Sequence, residues 1–107
     1  MKKTVEDTQL VQGANKIVER GYRWVESQQK RDSQRLLAAR DWLKFLIKHA
    51  TDEPASVALP CPAQELEDYA GEIVCKGSWA LQARKEVPVE VAQAATEWLF
   101  DLIEEYK

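Results

Sequence analysis

The stretch VEVAQAATEWLFDLIEEY, residues 89–106, decides the fold class. Val91, Ala94, Ala95, Trp98, Leu99, Leu102, Ile103 and Tyr106 fall on one stripe, and Glu90, Gln93, Glu97, Asp101, Glu104 and Glu105 oppose them. Such spacing gathers side chains on one face of a 3.6-residue turn, so the segment is an amphipathic helix whose apolar stripe must pack against another helix. Pro88, just ahead of it, suits a helix start, where a missing N–H costs nothing.

Working towards the N-terminus, Leu66, Tyr69, Ala70, Ile73 and Val74 form a second apolar helical face. Pro62 occupies its first turn, and Gly77 with Ser78 ends or kinks it. Trp79 and Leu81 continue a short helical piece before the connector around Pro88. Residues 55–62, with Pro60 and Pro62 two apart, read as an extended connector, and Pro54 ends the helical pattern before them because proline disfavours helix in the residue it follows.

The first half carries one helical phase. Every seventh residue from Val11 gives Val18, Val25, Asp32, Ala39 and Leu46, and Ala14, Ile17, Tyr22, Trp24, Leu36, Trp42, Leu43 and Phe45 flank that seam. Residues 26–35 contain no apolar side chain, yet no Gly or Pro either, and Asp32 or Ser33 is a suitable cap for a new helix. Residues 5–50 therefore form either one long N-terminal helix, about 70 Å at 1.5 Å per residue and in need of a partner such as a second copy, or a helical hairpin. A break or bend is the favoured reading. Gly21, beside Tyr22, reads as a point of close helix approach.

These stripes predict an all-α fold, a small bundle of three or four helices in a single domain over residues 1–107. No strand pattern persists, and no internal repeat is expected. The apolar runs are too short to span a bilayer, and Glu6 and Asp7 interrupt what a secretory leader would need to keep apolar. Two cysteines, Cys61 and Cys75, fit a reducing compartment, so the expected location is cytoplasmic.

The net charge of −3 conceals a division. Residues 1–50 hold eleven Lys or Arg against six Asp or Glu, and residues 51–107 hold four against twelve. Arg20, Arg23, Lys30, Arg31, Arg35, Arg40, Lys44 and Lys48 make a candidate interaction surface. A row of cations is what phosphate neutralisation requires, but Glu19, Glu26, Asp32 and Asp41 interrupt it and the pI near 5.2 runs against a nucleic-acid binder. Glu90, Glu97, Asp101, Glu104 and Glu105 make a candidate acidic surface, first explained as the solvated side of the last helix.

Catalytic signatures are absent from the sequence. His49 is the lone histidine; Cys61 and Cys75 read as small apolar residues rather than nucleophiles, and the three make too few ligands for structural zinc. No phosphate-cradling glycine loop or metalloprotease, hydrolase or calcium motif occurs. The expectation is a small non-catalytic protein-interaction domain, an adaptor, assembly factor, regulator or inhibitor, with a protein partner, no cofactor, no metal and no membrane, and with homodimerisation open to it. Nucleic-acid binding through the basic N-terminal face is the alternative, and acidic mimicry of nucleic acid a third reading.

Overall fold

The computed structural model describes residues 8–28, 33–52 and 58–105. The described residues form six helices, α1 (Thr8–Arg20), α2 (Tyr22–Gln28), α3 (Ser33–Asp52), α4 (Ala63–Lys76), α5 (Ser78–Gln82) and α6 (Val89–Glu105). The all-α bundle is as expected, with the helices shorter and more numerous. Lys30, Arg31, Asp32, Pro54 and Tyr106 lie outside the described residues.

Residues 5–50 do not form one long helix. The longest principal-axis extent is 36 Å, about half of what such a helix requires. The chain turns back so that α3 packs on both α1 and α2, and an earlier break at Gly21 separates α1 from α2. Helices α4 and α6 begin directly after Pro62 and Pro88, and Gly77 ends α4, as the sequence predicts. Apolar side chains of α1, α2, α3, α4, α5 and α6 meet in one cluster that includes Ile17, Val25, Leu43, Ile73, Leu81 and Leu99. Trp24 and Phe45, assigned to the seam, are instead 42% and 50% exposed, because at 100° per residue each lies about 130° around its helix from the centre of the buried stripe. Cys75, read as a small apolar residue, is exposed.

The expectation of no internal repeat is overturned. Leu10, Ala14, Ile17, Val18 and Gly21 recur fifty-six residues later as Leu66, Ala70, Ile73, Val74 and Gly77. At the same offset Ala38, Ala39, Trp42, Leu43, Leu46 and Ile47 become Ala94, Ala95, Trp98, Leu99, Leu102 and Ile103. The helices follow suit: α1–α2–α3 corresponds to α4–α5–α6, with Ser33 and Val89 both opening the third helix. Packing corresponds as well. Helix α1 lies on α3 as α4 lies on α6, α3 meets α4 as α6 meets α1, and α2 meets α4 as α5 meets α1.

Such reciprocity is the mark of a two-fold arrangement rather than of stacked repeats. The pseudo-axis passes between the two glycines. Gly21 takes φ +90° and Gly77 φ +98°, a region that L side chains avoid, and their N–H groups donate to Ile17 and Ile73 at 2.7 and 2.6 Å. Each glycine lies against the backbone of the other: a Cβ on Gly21 would collide with the Lys76 carbonyl, and one on Gly77 with the Arg20 carbonyl. Trp42 and Trp98 repeat even an imperfection, since each buries an indole N–H with no hydrogen-bond partner.

Gly71 is a contrasting case, inside α4 with nothing beyond its own helix backbone within 4 Å of where a Cβ would stand. Gly71→Ala is expected to raise stability by about 0.5–1 kcal/mol, since glycine in a helix interior loses more chain freedom on folding than alanine. Urea denaturation checks this, and a lowered midpoint at unchanged slope contradicts it.

Candidate interaction surfaces

The repeat supplies an internal comparison for every surface residue. On α3 the exposed side chains Leu37, Asp41, Lys44, Phe45 and Lys48 span about 100° of helix circumference, one continuous outer strip. Their counterparts on α6 are Gln93, Glu97, Phe100, Asp101 and Glu104. On α6 the apolar member, Phe100, is half-buried against the core, and the rest are polar. On α3, Leu37 is 38% and Phe45 50% exposed, with Lys44 and Lys48 between and beyond them. The ring of His49 stacks on Phe45 at 6.1 Å and 5° between planes. Two copies of one framework thus present a basic, partly apolar strip and an acidic one.

Other basic residues do not join the α3 strip in a single row. Arg20, at the end of α1, carries its guanidinium 4.6 Å from the centre of the Trp24 ring and pairs with Glu19 at 3.5 Å. Arg23 is exposed on α2. Arg40 is half-buried over Tyr22, 4.9 Å from the ring centre, and approaches Asp41 at 3.5 Å. Arg35 turns to the other side of α3 and lines a cleft with Lys16 of α1. The acidic candidates stay together: Glu90, Glu97, Asp101 and Glu104 are exposed along α6, with Glu105 half-buried at its end.

Comparison of the chain with known protein families, with curated proteins and with solved structures finds no match. Among the described residues no His, Cys, Asp and Glu side chains cluster as a metal site, and no helix is long and apolar enough to cross a membrane. Both cysteines are free. Burial, and then the nearby charge of Glu65, push the Cys61 thiol above its ordinary value, the reverse of what an activated nucleophile needs.

The second repeat also has an ionic clasp that sequence reading did not anticipate. Arg84 donates from Nη1 to Glu72 at 2.6 Å and from Nε to Glu86 at 2.7 Å, and its guanidinium lies 5.9 Å from the Tyr69 ring centre. A hydrogen bond from its own backbone, and then the one from Arg84, hold the Glu86 carboxyl below the ordinary carboxylate range. That contribution is complete above the unfolded carboxyl's pKa and is lost as pH falls through the lowered folded value. Glu72 and Arg84 correspond to Lys16 and Gln28 at the fifty-six-residue offset, so the first repeat lacks the residues for this clasp.

Proposed function

We propose that this protein is a small non-catalytic interaction domain, an adaptor, assembly factor, regulator or inhibitor, that docks an acidic protein partner on the outer strip of α3. The supporting observation is the contrast between the two strips. Single exposed apolar residues are ordinary on any protein surface. Leu37 and Phe45, however, share one helix face with Lys44 and Lys48, at positions where the same framework carries Gln93 and Asp101. Folding accepts polar residues there, so the apolar pair serves a contact outside the fold. An apolar centre rimmed by lysines suits a partner with apolar side chains among carboxylates.

The test transplants the α6 residues: Leu37→Gln, Phe45→Asp and Lys48→Glu together. Stability is expected to stay within about 0.5 kcal/mol, as for surface changes generally. Affinity for the partner is expected to fall roughly 10- to 100-fold, the range for removing an interface anchor. Quantitative affinity capture from the native host, wild type against variant, measures it. A captured set unchanged by the variant disposes of the reading. The acidic α6 strip of a second copy is one partner of this chemistry, and sedimentation at two concentrations identifies homodimerisation.

Nucleic-acid binding is the second reading, supported by Arg20 beside the exposed Trp24, a pairing suited to phosphate and base together. It predicts affinity that falls steeply with salt and is lost on Arg23→Glu with Arg35→Glu. We place the protein in the cytoplasm on the same footing, from its free thiols.

A further inference from the structure

The two repeats differ where α1 faces α3. In the second repeat, Tyr69 of α4 packs half-buried against the core, and Arg84, anchored by Glu72, covers its ring. In the first repeat the position of Tyr69 is held by Gly13, that of Glu72 by Lys16 and that of Arg84 by Gln28. A cleft of about 290 Å³ opens there, with Gly13, Val25 and Leu36 as its apolar lining and Gln9, Gln12, Lys16 and Arg35 as its polar lining. The framework that holds a phenol ring in one half thus leaves room for one in the other.

The remaining walls indicate what enters. The volume lies at the small end of ligand pockets, enough for one ring and too little for a large cofactor. An apolar floor with two cationic side chains at its edge favours an aromatic ring accompanied by carboxylates, because the ring is buried while the cations pair with the charge. Arg35 and Leu36 belong to α3, whose outer strip carries the docking surface proposed above. Deeply seated aromatic side chains are the usual energetic anchors of such contacts.

We propose that this cleft is an anchor pocket for a tyrosine or phenylalanine side chain flanked by carboxylates on a segment of the partner protein. The proposal rests on the interaction function above and adds the chemistry of the partner's anchoring residue. It also accounts for Gly13: a Cβ there would meet Ala39 Cβ at 3.4 Å, an ordinary contact, so the helix packing does not itself require glycine.

The test is an amide-resonance titration of the full chain with two capped pentapeptides, a central tyrosine or a central alanine between pairs of glutamates. The tyrosine peptide is expected to shift Gly13, Lys16, Val25 and Leu36 and to bind at least about tenfold more tightly than the alanine peptide. Gly13→Tyr, which installs the second repeat's own residue, and Lys16→Glu, an exposed change that leaves the core intact, are each expected to weaken it about tenfold or more. Equal binding of the two peptides, or insensitivity to Lys16→Glu, overturns the proposal. Shifts confined to Leu37, Lys44 and Lys48 overturn the pocket while leaving the α3 docking surface standing. A third arm uses free 4-hydroxyphenylacetate. If it binds as tightly as the tyrosine peptide, the pocket serves small aromatic acids, and the partner-segment proposal fails.

Discussion

Gly21→Ala and Gly77→Ala are each expected to destabilise the fold by about 3 kcal/mol or more, a combination of backbone strain and overpacking. Alanine at φ +90° or +98° is strained before any contact is considered, and Gly77, with ψ 163°, occupies a region almost reserved for glycine. The new methyl group then meets backbone, which has no rotamer to yield: on Gly21 it would stand 2.7 Å from the Gly77 nitrogen, and on Gly77 2.7 Å from the Arg20 carbonyl carbon. Only separation of α1 from α4 relieves the overlap, and that opens the core around Ile17, Val18, Ile73 and Val74. For a domain of this size the loss corresponds to a fall of roughly 10–20 °C in Tm. Because both substitutions break one contact, the double variant is expected to lose less than the two singles added together. Thermal melts of the three variants measure this, and a Gly21→Ala melt at the wild-type temperature refutes it.

That pair of glycines also shows where the sequence was legible. Gly77 announced itself, since it closes the apolar face of α4 and Ser78 follows it. Gly21 did not: Arg20 and Tyr22 belong in helices, and the seam of Val11, Val18 and Val25 runs through it without a change of phase. Helix starts at Pro62 and Pro88 and the faces of α4 and α6 were readable because they depend on local chemistry. The repeat was hidden by its own divergence. Its identities sit at buried positions such as Ala14/Ala70 and Trp42/Trp98, while the solvent-facing positions between them exchanged character, Lys16 for Glu72 and Lys48 for Glu104. Surface residues are released from packing and follow other demands, so a reading by residue class along the chain sees opposite halves. The charge division and the repeat are one feature: a shared core bearing two different coats. Of the candidate site, the basic residues were visible but not their separation, because only the fold sends Arg35 to the cleft and Lys44 to the outer strip. The cleft itself needs α1, α2 and α3 together, and no single segment implies it.

If the core is two-fold in energy as well as in geometry, then Leu43→Ala and Leu99→Ala should each lower stability by about 2–5 kcal/mol, the range for deleting a leucine side chain from a packed interior. Both side chains are fully buried, Leu43 beside Trp42, Leu46 and Ile47 and Leu99 beside Trp98, Leu102 and Ile103 on the corresponding helices. Cavities walled by the same residues in the same register should collapse to the same extent, so the two losses are expected to agree within about 1 kcal/mol. Exchanging the solvent-facing counterparts, Phe45→Asp or Asp101→Phe, is expected to change stability by no more than about 0.5 kcal/mol. Chemical denaturation of the four variants, compared at one slope, separates the two classes. Were Leu43→Ala nearly neutral while Leu99→Ala cost the full amount, the second repeat alone would hold the structure and the reciprocal packing of α1, α3, α4 and α6 would not be shared in energy. Equal losses would mean that the two halves contribute alike to the shared core. The outer faces of α3 and α6 would then be free to differ, as their charges do.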